Sequence, residues 1–315
     1  MPIRFALAAV LAALALVAPA GAQTSVVVVP GIKIGVVGGD RLQAVQQRIE
    51  PFRRRLAEEI GTSVTVLPMK DGQTLVDAFA TGRVDYAVLS ATGYAMAWRL
   101  CGCVEPIAAP RSIDGTGSYR SILVVKAASP AARLEDLKGR TVAVSDERSV
   151  AGRLWPFAEW ARAGIEPETF FGRIETVRGP DAAVRQLLAG KVDAAVAWSD
   201  LEGDSAAGYD RGTLRALVDR KALDMADIRI LWRSSAIPHG PHAVRASLSD
   251  GLKARIRDTL VHLKSDDPAA YEAIEPELGG GFGAVSHGLY EPLLVLVTPK
   301  PRPSAAPAAT ARPPG

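Results

Sequence analysis

GRVDYAVLS (residues 82–90) returns as GKVDAAVAW (residues 190–198), 108 positions further on. Each copy is a glycine, a basic residue, Val-Asp and a short apolar run. DGQTLVDAFAT stands before the first, with Leu75, Val76 and Phe79 on one helical face, and PDAAVRQLLA stands before the second. Apolar residues three and four apart predict a helix. The glycine stops it, and the unbroken apolar run predicts a strand buried on both faces. A helix-glycine-strand unit that occurs twice predicts two lobes of one architecture. Asp85 and Asp193 enter the two strands at equal places, and their reading is structural: a carboxylate bonding nearby backbone N–H groups.

The pattern extends outward from both copies. IKIGVVGG (32–39) reads as a buried strand and RLQAVQQRIEPFRRRLAEEIG (41–61) as a helix closed by Gly61. TSVTVLPM is a further strand, and a helix begins near Tyr94. The alternation restarts with SYRSILVVKA, then LEDLKGRTVAVS, then SVAGRLWPFAEWARAGI as a helix with Pro156 in or near its first turn. LRALVDR and IRILWRSS read as strand-like pieces and residues 243–264 as a helix; GGGFG (279–283) reads as a flexible turn. Strands alternating with helices predict an α/β fold with mostly parallel sheets.

The ends read differently. MPIRFALAAVLAALALVAPAGA has one basic residue, an apolar run and a small-x-small site, so residues 1–22 read as a secretory signal peptide. Residues 299–315 are Pro/Ala-rich and read as a disordered tail. Of 37 basic residues, Arg4, Lys300, Arg302 and Arg312 lie in these ends, leaving 33 against 34 acidic ones, a net charge of −1. That balance argues against a nucleic-acid surface. Cys101 and Cys103, one residue apart, read as a small-loop disulfide in an oxidising compartment, with a redox role left open. No His or Cys cluster stands near them, so no metal site is expected.

Five segments in order resemble a known family, the periplasmic substrate-binding proteins of phosphate/phosphonate/phosphite ABC importers. They are DGQTLVDAFATGRVDYAVLSATGYAMA, the stretch from YRSILVVKA through LKGRTVAVSDERSVAGRLWPFAEWARAGI, GPDAAVRQLLAGKVDAAVAWSD, IRILWRSSAIPHGPHAVRASL and GFGAVSHGLYEPLLVL. The resemblance spans roughly residues 32–296. It implies a two-lobed periplasmic-binding-protein fold with two crossover strands, near 118–126 and 225–235. Lobe 1 would be 23–123 plus 229–298, and lobe 2 would be 124–228. It implies a protein of the periplasm, acting as a monomer without cofactor, that closes on a small anionic or zwitterionic solute. The partner would be the membrane permease of an ABC importer.

Oxyanion binding by such a fold rests on helix starts. A helix N-terminus leaves N–H groups unpaired and carries roughly half a positive charge. Two loops qualify: Ser90-Ala91-Thr92-Gly93, leading to Tyr94, and Asp146 to Gly152, containing Ser149, Val150 and Ala151. The same hydroxyls also read as ordinary N-caps; the resemblance favours Ser149 as a ligand contact. It further implies that Tyr119 lines the cleft and that Asp200 falls where some members hold a ligand amine. Trp198 is unusual for the family, and reads either as a stacking surface for a flat or apolar ligand or as core. The candidate ligand contacts are thus Ser90, Thr92, Tyr94, Tyr119, Ser149, Val150, Ala151, Trp198 and Asp200.

The chain also departs from the family. Where members commonly read S-T-S-G, it reads Ser149-Val150-Ala151-Gly152, two hydroxyls fewer. Asp71-Gly72 and Gly179-Pro180 replace a frequent Asp-Tyr pair and a frequent His. These departures predict a ligand larger and less polar than phosphate, or a periplasmic accessory protein that delivers its ligand to a membrane sensor. No nucleophile, base and orienter come together in a catalytic motif, so an enzyme is not expected. His239 and His242, in IPHGPH, read as solvated loop histidines.

Overall fold

The computed structural model describes residues 31–297; the expected signal peptide and the tail 299–315 lie outside them. In chain order come β1 (Ile32–Val37), α1 (Leu42–Arg48), α2 (Glu50–Ile60), β2 (Val64–Met69), α3 (Gly72–Ala80), β3 (Tyr86–Val88), α4 (Ala91–Cys101) and β4 (Val104–Ser112). β5 (Ser118–Lys126), β6 (Thr141–Val144), α5 (Trp155–Arg162), α6 (Pro167–Phe170), β7 (Arg173–Thr176), α7 (Pro180–Leu188), β8 (Ala194–Ser199), α8 (Thr213–Asp219), β9 (Ile228–Arg233) and β10 (Ile237–Pro238) follow. β11 (His242–Arg245), α9 (Asp250–Asp266), α10 (Pro268–Ile274), β12 (Gly279–Ala284) and α11 (Glu291–Leu294) complete the described chain.

Two sheets result. The first runs β12-β4-β11-β3-β1-β2, and the second runs β10-β5-β8-β6-β7 with β9 also on β5. β2-β1-β3 and β7-β6-β8 are parallel; the strands added beyond them pair antiparallel. The chain leaves the first sheet after β4, enters the second at β5, and returns after β10. The turns at those two passages are residues 113–117 and 239–241. They are tied together, His239 N–H donating to the Gly117 carbonyl at 3.2 Å.

The echo in the sequence is a repeat of whole registers. Lys33 faces Thr65 and Ile34 faces Tyr86 in the first sheet. In the second, Thr141 faces Arg173 and Val142 faces Ala194, each number larger by 108. α3 and α7 also begin 108 apart, at 72 and 180. Asp85 Oδ2 accepts the Lys33 N–H at 3.0 Å, and Asp193 Oδ2 accepts the Thr141 N–H at 2.8 Å. Each aspartate's own N–H returns a bond to the same residue's carbonyl, at 2.8 and 2.9 Å. The carboxylate thereby adds a rung where the parallel ladder begins, which is the structural part its place in the sequence suggested.

Each sheet is covered on both faces. In the first lobe Phe52, Leu56, Ile256 and Leu260 pack one face, and Leu75, Phe79, Tyr94 and Leu293 the other. In the second lobe Val184, Leu187 and Leu214 oppose Leu137, Trp160 and Phe171 across the sheet. Each such side chain contributes about 1.5–3 kcal/mol when fully buried. Ala151 and Trp155 of the second lobe belong to the buried cluster of the first lobe's second face. Apolar packing therefore joins the two lobes beside the passage between them.

Several local expectations change. LRALVDR is helical: Leu214 and Leu217 are buried three residues apart, a helix spacing, with Val218 partly buried beside them. The helix expected over 243–264 starts at Asp250, capped by Ser249, because His242–Arg245 is a strand. GGGFG is not a free turn but the edge strand β12 on β4. Its glycines allow close approach: a Cβ on Gly280 would lie 1.8 Å from the Ser112 carbonyl oxygen. The helix read over 41–61 breaks at Ile49, since Pro51 has no N–H to give the preceding turn. The helix after Ser149 opens with a π-helical turn, Val150–Leu154. Pro156 gives no N–H to the Gly152 carbonyl, which instead accepts the Ser145 N–H at 3.1 Å. Cys101 and Cys103 are bonded to each other.

Candidate functional site

A cavity of about 340 Å³ opens between the two sheets. One wall is the loop Ser149–Gly152. Ser149 caps the segment, its Oγ accepting the Gly152 N–H at 3.2 Å. The Ala151 carbonyl accepts the buried Ser121 hydroxyl at 2.6 Å, so β5 holds the loop from below. Val150 and Ala151 line the cavity, and as the first residues of a helical segment their N–H groups have no acceptor one turn back.

The second wall is aromatic. Tyr119, at the start of β5, stacks on His239 with centroids 5.4 Å apart and planes 29° apart. Trp198, at the end of β8, meets Tyr119 edge-on at 5.4 Å and 71°. Burial raises the Tyr119 hydroxyl to about 12 and lowers His239 to about 4, the positive charge of Arg211 adding to the latter and Asp114 opposing it. His239 is thus neutral at neutral pH, and its Nε2 has no hydrogen-bond partner among the described residues. Its carbonyl accepts from Tyr290 Oη at 2.9 Å, which anchors this passage in the first lobe.

The third wall comes from loops facing each other across the opening. Arg211, before α8, donates through Nη1 to the carbonyl of Glu277, between α10 and β12. Glu275 holds that loop by accepting the N–H groups of Glu277 and Leu278 at 3.1 and 2.9 Å. Arg211 is the one positive side chain among the lining residues. Pro180, at the start of α7, closes the remaining corner.

The cavity brings together five of the nine candidates: Tyr119, Ser149, Val150, Ala151 and Trp198. Ser90 and Thr92 lie at the start of α4, where Ser90 Oγ accepts the Gly93 N–H at 3.0 Å. Gly240 packs against the backbone here, a Cβ there falling 2.8 Å from the Ser90 Cα; Ser90 is exposed, yet neither it nor Thr92 is among the residues that line this cavity. Tyr94 is fully buried, its hydroxyl 2.7 Å from His287 Nδ1. Asp200 is 7% exposed and outside the lining, and burial raises its pKa, with Asp210 and Asp114 adding to the shift. The lining adds Arg211, Glu277 and Leu278, to which no sequence motif points, together with His239 and with Pro180 of the Gly179-Pro180 departure. Their loops meet only through tertiary packing, and the two histidines of IPHGPH are not the solvated pair expected: His239 is half-buried in the lining. His242 is 1% exposed and bonded to Tyr86 Oη.

Among the described residues no group of three or more His, Cys, Asp or Glu could hold a metal ion, and no helix is long and apolar enough to cross a membrane. The family model for "ABC transporter, phosphonate, periplasmic substrate-binding protein" matches residues 34–287. The phosphonates-binding periplasmic protein of Escherichia coli (strain K12) is 24% identical over 235 residues, which are 72% of this chain and 64% of that protein. The chain therefore spans less than two thirds of that relative's length. The structure of XAC2383 from Xanthomonas citri bound to ATP matches with a TM-score of 0.62 and 18% identity, covering 84% of this chain and 95% of that one. PhnD1 from Prochlorococcus marinus (MIT 9301) in complex with methylphosphonate matches with a TM-score of 0.58 and 16% identity, over 84% and 96%. At these identities the structures establish a common fold.

Proposed function

Because the chain belongs to the family of periplasmic substrate-binding proteins of phosphonate ABC transporters, we propose that it captures a small organic anion or zwitterion between its lobes and presents it to a membrane permease. That family consists of transport proteins, not enzymes. Work in the periplasm accords with the family. The observation that carries the reading is the cavity wall Ser149–Gly152, a helix start whose first N–H groups face no acceptor one turn back, set opposite Arg211. N–H groups at a helix start favour anions, and a guanidinium pairs with phosphonate or carboxylate in a fork. Neither demands a basic surface, which agrees with the near-neutral core.

Closure follows from the connectivity. Two short passages join the lobes, and Arg211 hydrogen-bonds to the first lobe through the Glu277 carbonyl. We place the hinge at residues 113–117 and 239–241, so that 118–123 and 229–238, which the resemblance assigned to lobe 1, move with the second sheet. Isothermal titration with phosphate, phosphite, methylphosphonate, 2-aminoethylphosphonate and phenylphosphonate tests the reading. Saturable heat is expected from at least one, and Arg211→Ala is expected to weaken it. Silence from all five removes the phosphonate reading.

A further inference from the structure

We infer that the ligand carries a planar unsaturated ring beside its acidic group, and that the Trp198 indole is the surface on which the ring lies. The inference rests on the anion-binding reading of the same cavity and adds the shape of the ligand's body.

The repeat makes the case. With an offset of 108, Trp198 occupies the place of Ser90. In the first lobe that place is a helix cap, α4 starting one residue later. In the second lobe no α-helix follows β8 until Thr213. The strand that would deliver a helix terminus delivers an indole instead, turned to the cavity beside Tyr119. This wall offers an aromatic face where its twin offers N–H groups.

Size and charge agree. At about 30 Å³ per water, a cavity of about 340 Å³ has room for about ten waters. Phosphate or methylphosphonate has only five non-hydrogen atoms. Either ion would leave the ring faces of Trp198 and His239 against water. Arg211 is the one cationic residue and Glu277 the one acidic residue of the lining, so the site suits at most one acidic group. His239, half-buried, neutral and stacked on Tyr119, adds an uncharged ring to the lining rather than a second positive charge. The chemistry that fills such a site is one acidic head at Ser149–Ala151 and Arg211 and one flat body along Trp198.

Two ligand pairs read the ring separately from the acid: phenylphosphonate against methylphosphonate, and benzoate against acetate. The expected result is a ring-bearing member at least about tenfold tighter than its small partner in one pair or both, the scale of one added aromatic contact. Trp198→Ala should collapse that ratio towards one and Trp198→Phe should keep most of it, with thermal unfolding confirming that both variants fold. Should ring-bearing and small members bind alike, or should Trp198→Ala leave the ratio intact, the ring inference is wrong while anion capture stands. If none of the four binds and the phosphonate panel is silent as well, both fall together.

Discussion

Gly152→Ala tests whether the Ser149–Gly152 wall is the anion site and whether its position is fixed by packing. A Cβ at Gly152 would lie 2.3 Å from Ser145 Oγ, 2.5 Å from Ser145 Cβ and 2.6 Å from Ser149 Oγ. Ser149 Oγ can rotate away only by releasing the Gly152 N–H it caps, at about 1 kcal/mol. Ser145 Cβ cannot rotate at all. Ser145 is fully buried, and its N–H is bound to the Gly152 carbonyl, so the two residues resist moving apart. Restoring ordinary contact needs a shift of about 1 Å in the loop that carries the Val150 and Ala151 N–H groups. Overpacking of this kind costs about 1–3 kcal/mol. With about 2–4 °C lost per kcal/mol in a domain of this size, Tm should fall by about 2–12 °C. Affinity for the best-binding anion should fall at least tenfold, since the donors move with the backbone. Scanning calorimetry and isothermal titration read both. Ser145→Gly removes two of the three close atoms, so the double variant should recover part of the loss, with a coupling above about 0.5 kcal/mol. A single variant with unchanged Tm and affinity, or strictly additive effects in the double, would show that this loop is neither tight nor the site.

Asp85→Ala and Asp193→Ala should each lower stability by about 1 kcal/mol, nearly equally, because each deletes the same rung of an equivalent ladder. The two should add in urea titration, and a large inequality would refute the equivalence of the repeats. Stability should also fall on acidification. Burial holds His242 down to about 3 and His239 down to about 4, against about 6.5 in the unfolded chain. Below about pH 6.5 the unfolded chain therefore takes up protons that the folded one refuses, and stability drops towards pH 3–4. Urea midpoints at pH 7.5 and 4.5 check this; His242→Gln should flatten the slope, and equal slopes would exclude His242 as its source.

What the sequence made legible was what one sheet face or one helix face dictates locally. The strand β8 and the helix α7 follow from period and a glycine stop, because a buried parallel strand must be apolar throughout. Where pattern and propensity part, the reading failed. GGGFGA has only Phe282 to favour a strand, and it is one because β4 approaches too closely for anything but glycine at residue 280. LRALVDR was too short for its period to be told from a strand's. Four candidates missed the lining for a related reason. Ser90 and Ser149 are both serine caps at strand-to-helix turns, and nothing in either tetrapeptide says which turn the opposite lobe leaves open.

The equal spacing of the two repeats sharpens that point. From the first strand to the third, the lobes keep register with no net insertion, so the scaffold on each side is the same. The cavity nevertheless draws its aromatic and charged lining from places where the lobes differ or have no counterpart. Trp198 stands where its twin is a serine, Pro180 where its twin is Gly72, and Arg211 lies in a stretch after β8 where the first lobe has already become helix. A conserved ladder with divergent rims separates stability from specificity. Substitutions at Asp85 or Asp193 should then move unfolding without choosing among ligands, whereas those at Trp198 should choose among ligands at little expense to folding.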